Sequence, residues 1–327
     1  MAASPTPKPT RDSNLAHPAL AALQSLDAAL PVAVAFSGGA DSTALLIAAC
    51  RVWPGGVCAI HVNHELQAVA GEFARHCRAT CEELGVPLEI VRVDAKGQPG
   101  DSPEDAARRA RYTALAGAAT SRGAHAVLLA HHADDQVETI LLALSRGAGL
   151  PGLAAMPTRF ERHGATFLRP FLGITTSMLR SWLIAQGITF IEDPMNADAA
   201  FTRSRIRHEI VPALEHAFPR YRETFARSAR HAAQAQELLA ELAAVDLSTV
   251  GSPPAIVPLR QLARARQANA LRHWLRTEHE TAASAAQLEE LLDQVAARTT
   301  RGHAIRIKVG AGRVELCDGT LRYITSP

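Results

Sequence analysis

Only three of the chain's 34 basic residues are lysines, Lys8, Lys96 and Lys308. None follows the glycine pair Gly38-Gly39, so the turn there is not a Walker A phosphate loop, which needs a lysine directly after its last glycine. Cysteine is also scarce. The five cysteines, Cys50, Cys58, Cys77, Cys81 and Cys317, are too scattered for a disulfide framework and contain no Cys-x-x-Cys. Cys77 and Cys81 lie one helical turn apart and read as packed thiols rather than a metal or redox pair. No run of eighteen or more apolar residues occurs, so no membrane-spanning helix is expected. Residues 1–13 are polar and proline-rich without an apolar stretch, which predicts a disordered leader and not a secretion signal. These absences lead us to expect a cytoplasmic protein with no membrane partner.

What is present is arginine. It crowds at Arg203, Arg205, Arg207, Arg220, Arg222, Arg227 and Arg230, and again at Arg260, Arg264, Arg266, Arg272 and Arg276, in a chain whose net charge is only +2. Such clusters suit nucleic-acid phosphates on selected faces, but they equally suit solvated helix faces paired with glutamate. Composition alone leaves both open. At 327 residues and 47% hydrophobic, the chain has material for about two domains.

Strand-like runs at Val32–Phe36, Val57–Val62, Leu88–Val93 and Ala126–Ala130 alternate with helical patterns. That alternation predicts an α/β fold, a doubly wound parallel sheet with helices on both faces. Beyond Gly149, a hairpin is expected around His163-Gly164 and a helix over Thr175–Gln186, ended by Gly187. A long helix should start at Tyr221, followed by a break at Gly251, helical stretches at Leu259–Thr277 and Ser284–Ala297, and three short strands. We place the domain boundary at Phe218-Pro219, giving a catalytic domain over 1–217 and a smaller, mainly helical mixed α+β domain over 218–327.

The junction after the first strand carries the strongest chemical signal. Ser37-Gly38-Gly39-Ala40-Asp41-Ser42 connects an apolar strand to an apolar helix. Glycines there let main-chain N–H groups approach an anion, and the following helix adds its unpaired N–H groups and positive dipole end. A dinucleotide fingerprint would need glycine where Ser42 stands. Gly147-x-Gly149-x-x-Gly152 fits that fingerprint literally, but it follows a helix and contains Pro151, so it is rejected. In open parallel sheets ligands bind beyond the carboxyl ends of the strands. Those ends are unusually polar here: the second carries His61-Val62-Asn63-His64-Glu65, and the fourth His131-His132-Ala133-Asp134-Asp135-Gln136-Val137-Glu138.

The loop resembles the PP-loop of N-type ATP pyrophosphatases, which cleave ATP between the alpha and beta phosphates. The ordered set Ser37–Ser42, His61–Gln67, His131–Thr139, Glu192-Asp193-Pro194-Met195-Asn196 and Arg203-Ser204-Arg205-Ile206-Arg207 resembles one family in particular, the tRNA(Ile)-lysidine synthetases. The resemblance implies an ATP-dependent carbon–nitrogen ligase that joins free L-lysine to C2 of the wobble cytidine of CAU-anticodon tRNA(Ile) through an adenylated intermediate, so that the tRNA reads AUA as isoleucine. By the same resemblance, Ser37, Gly38, Gly39, Ala40, Asp41, Ser42, His61 and Val62 would bind ATP. Asp41 and Asp135 would hold magnesium, Arg111, Asp135 and Glu138 would bind lysine and carry catalysis with Asp41, and Arg203, Arg205 and Arg207 would bind tRNA. Arg111 sits in an Ala-Arg-x-x-Arg-Tyr-like helix, Ala107 to Tyr112.

The chain departs from the family pattern at Asn63, Glu65 and Gln67, where charge-based roles are put in doubt. Longer members carry a further C-terminal domain that this chain is expected to lack, and the motifs leave open whether it acts as a homodimer. Two other readings stay in view: a different PP-loop tRNA-modifying enzyme, such as a thiolation enzyme, which would need reactive cysteines, and a metal-dependent phosphoesterase using His131, His132, Asp134 and Asp135.

Overall fold

The computed structural model of the chain describes residues 17–63, 70–93, 103–192, 202–297 and 304–325. The chain divides into two compact units, Met1–Arg230 and His231–Pro327. The division falls inside a long helix, and the boundary expected at Phe218-Pro219 lies just before that helix begins at Tyr221.

The first unit runs α1 (Pro18–Gln24), β1 (Val32–Ala35), α2 (Ala40–Val52), β2 (Val57–Asn63), α3 (Ala70–Leu84), β3 (Leu88–Arg92), α4 (Pro103–Ser121), β4 (Ala126–Leu128), α5 (Ala133–Ser145) and α6 (Leu150–Leu153). It continues through β5 (Arg159–Arg162), β6 (Ala165–Leu168), α7 (Thr176–Ala185), α8 (Thr202–Arg205), a π-helical turn Ile206–Ile210, α9 (Val211–Ala217) and the start of α10 (Tyr221–Val250). The strands form one sheet in the order β3-β2-β1-β4-β6-β5. All neighbours are parallel except β5 and β6. The expected hairpin is therefore the sheet's antiparallel edge, turned at His163 (φ 50°) and Gly164 (φ 75°), the paired positive φ angles of a tight hairpin turn.

Side chains of a strand alternate between the two faces of a sheet, and here both faces are covered. Val32 and Val34 of β1 join Ala59, Leu128 and Leu168 in a core with α1, α2 and α7. Ala33, between them, joins Ile60, Val127 and Phe167 in a second core with Tyr112 and Leu115 of α4. A parallel strand buried on both faces must be apolar throughout, which explains why the strand runs stand out in the sequence. Cys77 and Cys81 are buried, and burial pushes both thiols up to about 12. They are packed side chains.

The second unit holds the rest of α10, α11 (Ile256–Leu259), α12 (Arg264–His279), α13 (Ala285–Ala297) and an antiparallel meander of β7 (Arg306–Val309), β8 (Gly312–Cys317) and β9 (Thr320–Thr325). One difference from expectation is the helix over Leu259–Thr277. Ala263 adopts an extended ψ of 145°, so the stretch breaks into α11 and α12. Trp274 is 0% exposed at the centre of this unit's core, among Leu271, Leu291, Val309 and Leu321. Its indole N–H reaches Glu278 Oε2 at 3.2 Å.

Trp274→Ala should therefore cost about 3–5 kcal/mol, the range for emptying a buried tryptophan site. The loss should appear in the second unit's hydrogen-exchange protection. Protection of β1 and β4 should stay at the parent level, because none of their core partners belongs to this unit.

Candidate active site

In the strand order the chain leaves β1 toward β2 on one side and β4 toward β6 on the other. The loops after β1 and β4 therefore part and leave a crevice at the carboxyl ends of the strands, the place where open α/β sheets take ligands. Both loops run straight into helix N-termini, those of α2 and α5.

The β1 loop is tightly strapped. Gly38 has φ +86°, a backbone conformation that favours glycine, and a Cβ there would crowd Cys77 Sγ and His76 Cδ2, each at 3.2 Å. Ser37 N–H donates to Ser42 Oγ at 3.2 Å, and the Ser42 hydroxyl donates to the Gly39 carbonyl at 3.1 Å. Ile191 N–H ties the loop from outside by donating to the Gly38 carbonyl at 2.9 Å. Gly39 caps α2 without any side-chain hydrogen bond. The first N–H groups of that helix thus have no intrahelical acceptors and are available to an anion.

The β4 loop delivers acid. His132 caps α5: its N–H donates to Asp135 Oδ2 at 3.0 Å, and Asp135 N–H donates to His132 Nδ1 at 3.4 Å. On the ring's other side, Nε2 lies 3.6 Å from Asp41 Oδ2 and 3.4 Å from Asp135 Oδ2. Nδ1 also sits 3.6 Å from Asp134 Oδ2, so protonating it exchanges a long cap bond for a carboxylate. Burial opposes the charge, but the hydrogen bond to Asp41 and the charges of Asp135, Asp41 and Asp134 outweigh it, and the His132 pKa is raised. Asp41 is held below the ordinary carboxylate value: burial again opposes, while His132, the Thr176 hydroxyl at 2.8 Å and Arg180 prevail.

A cleft of about 740 Å³ opens between these loops. Ser37, Gly39, Ala40, Asp41, Ser42, His61, Val62, Arg111, Asp135 and Arg203, all expected site residues, line it. His61 Nδ1 pairs with the Phe36 carbonyl at 2.9 Å, and burial lowers its pKa. It therefore stands as a neutral wall beside the apolar ends of β1 and β2. No cysteine lines the cleft.

Glu138 is not on the cleft wall. It is 1% exposed, its Oε1 accepts from Arg207 Nε at 2.8 Å, and Arg203 Nη1 lies 3.9 Å from Oε2. Burial raises its pKa, opposed by Arg207. The three arginines of the basic segment separate because the backbone is helical there. Arg203 and Arg207, one turn apart, share the Glu138 side, whereas Arg205 is exposed and bonds Thr202 Oγ1 at 3.3 Å. Glu65, Gln67, Asp193 and Asn196 lie outside the described residues.

Several participants escaped the sequence reading. Thr176 bridges Asp41 and Asp134, its hydroxyl on the first and its N–H on the second at 3.0 Å. Arg180 and Arg108 line the cleft, and Arg169 lies buried behind it. Arg108, one turn before Arg111, is visible in the helix motif, and Arg169 in Arg169-Pro170-Phe171, which also resembles a family segment; Thr176 and Arg180 come from a stretch without an acidic or glycine signature.

Among the described residues no cluster of three or more His, Cys, Asp or Glu side chains forms a metal cage. Asp134 is turned to Arg222 Nε at 2.5 Å, and His131 Nδ1 accepts from Arg169 Nε at 3.1 Å. His131 is thus engaged away from His132, Asp134 and Asp135, and the four residues of the phosphoesterase reading form no metal cluster. Asp41 and Asp135 do converge, on His132. Two carboxylates are what magnesium takes from a protein when substrate phosphates supply other oxygens, so the pair fits that ion.

The chain matches the PP-loop domain family over residues 13–214 and the TilS substrate binding domain over residues 255–317. It is 59% identical over 313 residues to the tRNA(Ile)-lysidine synthase of Polaromonas naphthalenivorans, covering 94% of this chain and 95% of that protein. The corresponding protein of Bordetella parapertussis is 41% identical over 318 residues, 93% of this chain and 92% of the relative. Against that of Burkholderia mallei, 40% identity extends over 90% of this chain but only 62% of a longer relative. Among solved structures, the U34-tRNA thiolase NcsA of Methanococcus maripaludis has a similar fold, with TM-score 0.57 and 15% identity over 68% of this chain and 80% of that one.

The raised pKa of His132 has a signed consequence. Its stabilisation is fully present below the ordinary histidine value of 6.5 and is lost as pH rises through the raised one. His132→Ala should cost more stability at about pH 6 than at about pH 9, measured by chemical denaturation of the first unit. An equal cost at both would show that the imidazole is neutral throughout.

Proposed function

The chain belongs to the tRNA(Ile)-lysidine synthase family, and we propose that it ligates free L-lysine to C2 of the wobble cytidine of CAU-anticodon tRNA(Ile) at the expense of ATP. The observation that carries this reading is one cleft wall shared by a phosphate loop, an acidic helix start and the arginines Arg108, Arg111 and Arg203. In the first step the cytidine C2 oxygen attacks the alpha phosphorus of ATP and pyrophosphate leaves. In the second, the lysine side-chain amine attacks C2 and AMP leaves.

Each demand has a candidate residue. Negative charge spreading over the phosphates meets the main-chain N–H groups from Ser37 to Ser42 and the α2 N-terminus. Magnesium held by Asp41 and Asp135 would supply further charge neutralisation there. The adenine lies against His61, Val62 and the apolar strand ends. Arg111, with Arg108 beside it, takes the lysine carboxylate in fork geometry. The amine, with an ordinary pKa of about 10.4, must lose a proton before it attacks. Asp135 orients it from the wall, and Glu138 acts behind, engaged with Arg207 and near Arg203. Arg205, exposed on the outer side of α8, contacts tRNA phosphate, and the second unit, which matches the substrate binding domain, holds the rest of the tRNA. A thiolation activity is disfavoured because the cleft lacks cysteine.

Mass spectrometry of nucleosides from tRNA(Ile) with a CAU anticodon, incubated with the protein, ATP and lysine, should reveal a lysine-bearing cytidine. Its absence would overturn the reading. In the same assay Asp41→Ala should abolish pyrophosphate release while tRNA binding stays near the parent level.

Arg205→Ala should weaken tRNA binding and flatten its dependence on log salt by about 0.7, the share of one single-strand phosphate contact. An unchanged slope and affinity would mean that Arg205 touches no phosphate.

A further inference from the structure

Arg169, at the end of β6, is 4% exposed, and its hydrogen-bond partners are all neutral. Its Nε donates to His131 Nδ1 at 3.1 Å, Nη1 to the Pro157 carbonyl at 2.8 Å, and Nη2 to the Tyr112 hydroxyl at 3.3 Å. The guanidinium carbon stands 4.2 Å over the Phe160 ring. Phe160 stacks on Phe167, with centroids 5.1 Å apart, and Tyr112 meets both edge-on. In a chain that is only 5% aromatic, a cluster of three rings offers the buried cation the Phe160 face and the Tyr112 hydroxyl, which helps to stabilise it without a carboxylate hydrogen bond.

Arginine has donors and no acceptor. A guanidinium N–H aimed at Nδ1 therefore admits one state of the imidazole: Nδ1 is the acceptor, and the single ring proton is on Nε2, on the side of the ring away from Arg169. His131 itself lines the cleft. We infer that Arg169 is a positioning residue which locks His131 as the neutral Nε2–H tautomer, so that the cleft holds an uncharged hydrogen-bond donor for an oxygen that gains negative charge as pyrophosphate leaves.

The surroundings act in the same sense. Burial, Arg169, Arg111 and Arg108 of α4, and Arg203 of α8 all disfavour the imidazolium, pushing its pKa down to about 3. The charge of Asp135 of α5 favours the charged guanidinium of Arg169. His131 and His132 are thus neighbours in sequence with opposite electrostatics: the first is held neutral by arginines, the second is drawn toward its charged form by aspartates. The inference rests on the adenylation reading for the donor's target, while the tautomer itself is independent of that reading.

Nitrogen-15 NMR of the imidazole side chains in the substrate-free protein reads the tautomer directly, with the His131 signals identified by their loss in His131→Phe. The expected result is an Nε2–H, Nδ1-acceptor pattern that does not change between about pH 5.5 and 8.5, since one unit of pH changes a free imidazole's protonation tenfold. A signal titrating near the ordinary histidine value, or an Nδ1–H tautomer, would overturn the assignment whether or not the protein acts on tRNA.

A double-mutant cycle tests the role. Arg169→Met should slow single-turnover adenylation by at least about tenfold with ATP KM little changed, toward the range for losing one preorganised donor. Arg169→Lys, another pure donor, should recover part of the rate. On a His131→Phe background, Arg169→Met should add no further loss. Losses that multiply instead would assign Arg169 to packing alone and overturn the positioning role; should Arg169→Met fail to fold, the tautomer pattern and the lysine variant still decide.

Discussion

Two helix N-termini meet at one crevice, and the imidazole of His132 joins them. From its place as the cap of α5 it reaches Asp41 in the first turn of α2 and Asp135 in its own helix. Without that ring, the carboxylates of Asp41 and Asp135 would lose the cation that both of them approach in a partly buried cleft. The Thr176 bridge between Asp41 and Asp134 and the Arg222 contact to Asp134 complete the frame. The phosphate loop depends on the same frame, because Asp41 belongs to both. The N–H groups at the start of α2 and the carboxylates of Asp41 and Asp135 are thereby held side by side, the arrangement on which the proposed binding of a metal–triphosphate complex rests.

Behind this front lies a second, opposite arrangement. Arg169 is buried over the Phe160 ring and donates to a carbonyl, a phenol and an imidazole. Burial of a guanidinium without a carboxylate partner is costly unless each donor is satisfied and the charge rests on π faces. Satisfying those donors dictates the state of His131. The cleft therefore has a wall rich in neutral and cationic donors, facing the acidic start of α5. Glu138 belongs to neither wall: it is engaged by Arg207, with Arg203 close by, so the basic segment is attached to the first unit at a buried carboxylate.

Much of this was legible before any coordinates. The strands are readable because both faces of a parallel sheet are covered, which makes each strand an apolar run, and Gly38, Asp41, His132 and Asp135 stand at strand ends, where ligands bind in such sheets. The PP-loop and the acidic helix start were identifiable because their chemistry is local: a glycine needed for φ +86°, or a cap and its carboxylate three residues on, is encoded within a few neighbouring residues. The hairpin and its turn were readable for the same reason.

The family, the class of sheet and the glycine-rich loop after β1 can be read from the sequence alone. Tertiary structure decided which charges face the ligand and which face each other. Arg203, Arg205 and Arg207 alternate in sequence, yet a helical backbone sends two of them toward Glu138 and one toward solvent. Glu138 carries the motif's carboxylate, yet it is buried beneath arginines. Arg169 stands in the family-like segment Arg169-Pro170-Phe171, yet its effect on His131 exists only because β6 lies beside β4 in the sheet. Pairings across 38 and 69 residues depend on strand order and helix phase, which only the folded chain establishes.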